Sequence, residues 1–162
     1  MTTDLTTDRL HGDVAEGDTL PTLEHDVTAT TVVLGALASR DWRPMHHDFK
    51  FATERNGVQD IFLNTPNLAA WFERYLTDWT GPRGRLGRMK FRMGDSVFPG
   101  NRMAITGSIT GTSTDDTGCG WVDVEIALTA DGRPCCSASA RVALPTDADD
   151  NPWARRGDAW RP

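Results

Sequence analysis

The sequence predicts a single α+β domain in which one long apolar helix is covered by an antiparallel sheet. Two observations carry this prediction. An apolar stripe at helical spacing runs over 65–79, and four later segments alternate apolar and polar residues. With 162 residues, the chain is long enough to form one domain with its own hydrophobic core.

The first part of the chain predicts a strand over 19–27 and a helix over 28–39. A loop over 41–48 and a short helix or turn over 49–55 follow. Thr28 or Thr30 can cap the first helix, since a threonine hydroxyl accepts a hydrogen bond from a free N–H group of the first turn. Pro44 enforces the loop, and Asn56-Gly57 ends the short helix.

The strongest helix signal covers 65–79. Asn64 or Thr65 can cap it, Pro66 suits its first turn, and Gly81-Pro82 stops it. Its apolar stripe consists of Leu68, Phe72, Leu76 and Trp79. A helix this apolar must be covered by other elements.

The predicted covering elements are four strands over 85–97, 102–112, 120–129 and 133–144. Asp131-Gly132 is a strong hairpin signal between the last two strands. A long helix cupped in such a meander is the hot-dog arrangement, although the pattern alone also fits other α+β folds. The domain is therefore expected over 18–145.

The two ends of the chain lack apolar periodicity. We expect 1–17 to be a flexible leader and 146–162 to be a flexible C-terminal tail. Trp153 and Trp160 interrupt the polar tail, and the sequence leaves open whether they dock on the domain or on a partner subunit, or stay free.

Composition excludes several classes of function. The formal net charge of −6 argues against nucleic acid as the main partner. No apolar run approaches the length of a membrane span, and the polar start of the chain does not resemble a secretory signal. The odd number of cysteines favours free thiols in a reducing compartment, so we expect a cytoplasmic protein.

The chemistry is concentrated in 41–48, which reads Asp-Trp-Arg-Pro-Met-His-His-Asp. Asp41 and His46 can share one water molecule: the carboxylate takes its proton, while the imidazole orients it or supplies a proton to carbon. A plain structural hydrogen bond is the alternative. A metal site is not expected, because no further ligands follow at useful spacing.

This segment resembles the signature of MaoC-like (R)-specific enoyl-CoA hydratases, Asp-x-Asn-Pro-x-His-x-Asp. The resemblance implies catalytic roles for Asp41 and His46, and it matches Pro44 and Asp48. Arg43 stands where the family has asparagine. Arg43, Asp48 and the adjacent His47 are expected to support the site.

The same resemblance implies an oxyanion hole at the start of the central helix. The family's Ala-His-Gly-Met motif aligns with a stretch in which Asn64 replaces the glycine. The backbone N–H groups of Asn64 and Thr65 are then expected to polarise the thioester carbonyl. Pro66 removes one donor from this helix start.

Further segments over 46–48, 60–64 and 76–82 resemble the small hot-dog subunits of heteromeric enoyl-CoA hydratases of steroid side-chain degradation. This implies an acyl-CoA substrate, no cofactor, and a homodimer or a heteromer with a second hot-dog subunit. The active enzyme is the favoured reading. A non-catalytic subunit that shapes the acyl pocket and an acyl-CoA thioesterase are the alternatives, and the acyl group stays open.

Four basic residues after the central helix could meet CoA phosphates, although a solvated strand end is the favoured interpretation: Arg83, Arg85, Arg88 and Lys90.

Overall fold

The computed structural model describes residues 8–162 and confirms the α+β prediction. A five-stranded antiparallel sheet has the order β1-β3-β4-β5-β2. Its strands are β1 (Thr19–Asp26), β2 (Arg85–Met93), β3 (Arg102–Thr114), β4 (Gly120–Ala130) and β5 (Arg133–Leu144). The helices are α1 (Ala29–Ala38), α2 (Phe49–Glu54) and α3 (Thr65–Thr80). The core lies between α3 and one face of the sheet.

Helix α3 begins and ends as its sequence predicts. The Asn64 side chain caps it by accepting a hydrogen bond from the Asn67 N–H (3.2 Å). Gly81 ends it at φ +78°, a left-handed conformation that favours glycine. The predicted stripe is buried against the sheet. No helix within residues 8–162 has the length and apolar character needed to cross a membrane.

The β4–β5 hairpin turns through Asp131 and Gly132 alone, as predicted. Both residues have positive φ (+50° and +79°), as a tight two-residue hairpin turn requires. Strand β2 ends at Met93, short of the predicted 97. The Gly94 N–H still bonds the Cys135 carbonyl (2.8 Å), but the chain then leaves the sheet.

Helix α1 crosses α3 closely at Gly35. A Cβ atom placed on Gly35 would lie 1.8 Å from the Asn67 side-chain nitrogen, so a larger residue would have to push the helices or Asn67 aside. Thr28 caps α1 by accepting from the Thr31 N–H (3.1 Å). The close crossing brings the C-terminal end of α1 to the N-terminal end of α3.

The expected flexible leader makes defined contacts wherever the structure describes it. Residues 1–7 lie outside the described residues. Asp8 forms an ion pair with Arg83 (2.6 Å), and the Arg9 N–H bonds the carbonyl oxygen of Thr80 (3.1 Å). These partners lie at the C-terminal end of α3 and just after it, so this segment closes that end of the core.

The expected flexible tail also packs on the domain. Trp160 lies 4.9 Å from the ring of Trp121, and the Arg85 guanidinium lies 3.6 Å from the Trp160 ring centre. Arg155 donates to the carbonyl oxygens of Thr117 and Gly118 (both 3.1 Å). The physical reason is burial: the tail covers apolar side chains of the sheet that the helices do not reach.

Candidate active site

A cleft of about 1060 Å³ opens beside the N-terminal end of α3. The loop after α1, the start of α3 and the segment after β2 form its walls. Its lining includes Ser39, Asp41, His46, Phe62, Asn64, Thr65, Met93 and Cys136. A cleft of this size lies slightly above the range of about 300–1,000 Å³ found for small-molecule sites.

Asp41 reaches the cleft because the chain turns sharply after α1. Arg40 adopts a left-handed conformation (φ +56°), and the Asp41 N–H returns to the carbonyl oxygen of Ala36 (2.9 Å). The carboxylate accepts hydrogen bonds from the Asn64 side-chain NH₂ (3.0 Å) and from the Arg43 N–H (3.3 Å). These bonds, with that of Asn64 first, lower the pKa of Asp41 below its usual value although desolvation opposes them.

His46 is buried, and a hydrogen bond to the backbone fixes the orientation of its ring. Its Nδ1 lies 2.8 Å from the carbonyl oxygen of Phe62. A carbonyl only accepts hydrogen bonds, so Nδ1 carries the hydrogen, and in the neutral ring Nε2 is an acceptor. Nε2 lies 3.6 Å from Oδ2 of Asp41. A water molecule that donates to both atoms suits this pair of acceptors.

Two backbone donors are available at the start of α3. The Asn64 and Thr65 N–H groups donate to no acceptor within the described part of the chain. Pro66 has no N–H group, and the Asn67 N–H is used by the Asn64 side chain. The positive end of the helix dipole adds to these donors, so an anionic oxygen would be stabilised here.

The structure brings together four of the predicted site residues in one cleft: Asp41, His46, Asn64 and Thr65. Arg43 lies at the mouth with its side chain 72% exposed. The expected supporting residues His47 and Asp48 do not line the cleft. Asp48 instead caps α2 by accepting from the Phe51 N–H (3.0 Å), and His47 is exposed.

Sequence reasoning missed the Ser39 hydroxyl and the hydrogen bond that the Asn64 side chain donates to Asp41. The Asn64 NH₂ also donates to Ser39 Oγ (2.8 Å). These residues are distant in sequence, and no local motif links them. The cleft walls contributed by Met93 and Cys136 were missed for the same reason.

The four basic residues after the central helix do not line the cleft. Arg83 forms an ion pair with Asp8, and the guanidinium group of Arg85 stacks on Trp160. The guanidinium groups that border the cleft are those of Arg40 and Arg43. Within residues 8–162, no three His, Cys, Asp or Glu side chains are grouped as a metal ion would require.

Comparison with known proteins gives one close curated relative, and no protein-family model matches the chain. The chain is 33% identical over 94 residues to the 3-oxo-4,17-pregnadiene-20-carboxyl-CoA hydratase beta subunit of Mycobacterium tuberculosis. The match covers 58% of this chain and 72% of that subunit.

Solved structures with the same architecture include a two-component complex, a hydratase and a dehydratase. The ChsH1-ChsH2 complex of Mycobacterium tuberculosis has 25% identity and a TM-score of 0.72, covering 80% of this chain and 98% of the other. The (R)-hydratase from A. caviae has 20% identity and a TM-score of 0.72, covering 82% and 98%. The MaoC-like dehydratase from Rhodospirillum rubrum has 19% identity and a TM-score of 0.71, covering 82% and 94%. The predicted hot-dog fold is thereby confirmed.

Proposed function

Because the chain belongs to the MaoC-like hydratase family that includes this beta subunit, we propose that it hydrates a 2-enoyl-CoA thioester to a 3-hydroxyacyl-CoA, or catalyses the reverse dehydration. One observation carries the proposal: Oδ2 of Asp41 and Nε2 of His46 lie 3.6 Å apart in a cleft that also contains the free N–H groups of the α3 start.

The proposed reaction begins with a water molecule held between the two acceptors. Asp41 takes one proton from the water, and the water oxygen forms a bond to the β-carbon of the enoyl group. The electron pair of the alkene moves to the thioester oxygen, where the N–H groups of Asn64 and Thr65 stabilise the enolate. The abstracted proton then passes from Asp41 by way of His46 Nε2 to the α-carbon, which completes the addition of one water molecule and returns both side chains to their starting states.

The cleft walls fit an acyl-CoA substrate. Apolar side chains of Met45, Phe62 and Met93 line the cleft and suit an acyl group. The Arg40 and Arg43 guanidinium groups stand at its border, where the phosphates of CoA can be bound. The curated relative is named for a steroid carboxyl-CoA, and the large cleft volume supports a bulky acyl group here as well.

The assembly is proposed as a homodimer or as a heteromer with a second hot-dog subunit. The curated relative is a beta subunit, and the ChsH1-ChsH2 structure is a complex, which favours the heteromer. A second candidate function is a non-catalytic subunit, because Asn64 fills the position where the family motif has glycine. The convergence of Asp41 and His46 favours the active subunit.

The test is an enoyl-CoA hydration assay of the chain alone and with a co-expressed second hot-dog subunit. Crotonyl-CoA and a steroid enoyl-CoA are compared as substrates. We expect His46→Ala to lower kcat by about 10²–10⁴-fold without loss of fold, as removal of an acid–base group does. The matched control is His47→Ala, since His47 is exposed outside the cleft.

Two outcomes would contradict the proposal. Full hydration by the His46→Ala variant of the assembled protein would assign the active site to the other subunit. Release of free CoA thiol without formation of a 3-hydroxyacyl product would identify a thioesterase instead.

A further inference from the structure

The Asn64 side chain does more than cap α3. It is a buried polar group with only 1% of its surface exposed. Its oxygen accepts from the Asn67 N–H (3.2 Å), while its nitrogen donates to Ser39 Oγ (2.8 Å) and to Asp41 Oδ2 (3.0 Å). Both amide hydrogens are therefore used, and one of them is directed at the carboxylate of the proposed site.

The orientation of this amide follows from its neighbours. The Ser39 hydroxyl donates to the carbonyl oxygen of Gly35 (2.8 Å), so its oxygen is left as an acceptor for the Asn64 NH₂. The Asp41 carboxylate also only accepts, whereas the Asn67 N–H only donates. A flipped amide would place oxygen against two acceptors and nitrogen against a donor. All three neighbours therefore require the same orientation.

We propose that Asn64 is a positioning residue for the hydration reaction: its side-chain amide, held by Ser39, fixes the Asp41 carboxylate beside His46. This inference rests on the proposed function. The amide binds the same oxygen, Oδ2, that faces Nε2 of His46. Without this bond the carboxylate could rotate away from the shared water position or take up a proton more readily.

The electrostatics of Asp41 agree with this role. Two cationic or potentially cationic groups face the carboxylate, Arg43 at 3.6 Å and His46 at 3.6 Å. Arg40 and Asp95 are the other charged residues of the cleft lining. The hydrogen bond from Asn64 is nevertheless the largest single influence on the Asp41 pKa, and it lowers that pKa. A neutral amide thus favours the ionised form of the carboxylate.

Two substitutions separate this role from helix capping. Asn64→Ser retains a capping hydroxyl for α3, but serine is too short to reach Asp41. Asn64→Asp retains both the cap and the shape, but it places a second carboxylate against Asp41. We expect the acid limb of the kcat/KM–pH profile to move up by about one pH unit in Asn64→Ser and further in Asn64→Asp.

In Asn64→Ser, kcat should also fall by about tenfold with little change in KM, because substrate contacts are retained. Asn67→Ala is the matched control: it removes an amide one turn along α3 that donates to the carbonyl oxygen of Thr31 and not to Asp41. This control should keep the wild-type pH profile.

A readout independent of turnover is the NMR titration of the ¹³C-labelled Asp41 carboxyl carbon. A higher Asp41 pKa in Asn64→Ser than in the wild type supports the inference, even if the wild type hydrates no enoyl-CoA, in which case only the proposed function fails. An unchanged Asp41 pKa overturns it. So does a lower kcat in Asn64→Ser with an unmoved acid limb, which would leave Asn64 as a helix cap alone.

Discussion

Asp41 and Asp115 are two loop carboxylates with different surroundings. Asp115 lies in the β3–β4 turn and accepts four hydrogen bonds, from Trp121 Nε1 (2.8 Å), the Thr117 N–H and hydroxyl (2.9 and 2.7 Å) and the Cys119 N–H (3.0 Å). Asp41 accepts from Asn64 and Arg43 and then faces His46 across the cleft.

Hydrogen bonds lower the pKa of both carboxyl groups, so the direction of the shift does not distinguish them. The two carboxylates differ in how many further hydrogen bonds their oxygens can accept. The protein surrounds Asp115 with donors, and the carboxylate ties the turn to Trp121. Asp41 keeps capacity for a further donor, which a water molecule or substrate can supply. Asp41 therefore differs from Asp115 in that the protein does not use all of its capacity to accept hydrogen bonds, as a catalytic carboxylate requires.

The largest expected effect is on activity. Asp41→Asn should lower kcat for hydration by about 10²–10⁴-fold, because an amide cannot take the proton from water. The free energy of unfolding should change by less than about 1 kcal/mol, since the amide oxygen can still accept from Asn64. Steady-state kinetics and denaturant unfolding measure the two quantities. If Asp41→Asn also lowered the free energy of unfolding by about 2–3 kcal/mol, the main role of Asp41 would be structural, as it is for Asp115.

The second effect is on stability. Asp115→Ala should lower the free energy of unfolding by about 2–3 kcal/mol, because it leaves the buried Trp121 Nε1–H without its acceptor. Asp116→Ala, which removes the exposed neighbouring carboxylate, is the matched control and should change little. Denaturant unfolding measures both variants, and equal effects of the two substitutions would refute the structural role of Asp115.

The pH dependence of this stability follows from the lowered pKa of Asp115. The stabilisation is fully present above the unfolded-state pKa of about 3.9 and is lost as the pH falls through the lower folded-state value. The stability difference between wild type and Asp115→Ala should therefore narrow only below about pH 4. A difference that narrows near neutral pH would point to another titrating group.

The smallest effect concerns the tail that packs beside Asp115. Trp160→Ala removes one aromatic contact and one cation–π contact, worth about 1–3 kcal/mol together. It should also make the buried Cys119 accessible to a thiol reagent. Arg161→Ala is the control, because among residues 8–162 that exposed side chain pairs only with Asp158. Unchanged stability and labelling in Trp160→Ala would mean that the tail does not stay docked in solution.

Much of the fold was predictable because its determinants are local. The apolar stripe and its end signals place α3, and alternating residues place the strands. The Asp131-Gly132 pair sets the hairpin. The end of β2 was misplaced, because the strand was extended to the apolar Val97, whereas the polar residues that follow Met93 leave the sheet and line the cleft.

The candidate site was predictable in part. The spacing of Asp41 and His46 within one short loop already indicated an acid–base pair, and the α3 start indicated backbone donors. His47 and Asp48 belong to the same motif, yet the turn that buries His46 leaves His47 exposed and uses Asp48 as a cap. Adjacency in sequence therefore did not give adjacency in the cleft.

The sequence by itself determined the helix, the strands and the pairing of a carboxylate with an imidazole, because periodicity, capping and short spacing act over a few residues. Only the tertiary structure decided that Asn64 binds Ser39 and Asp41, and that Trp160 covers Trp121. These contacts join residues far apart in the chain. They form only after α1 crosses α3 at Gly35 and the sheet closes, so no local pattern records them.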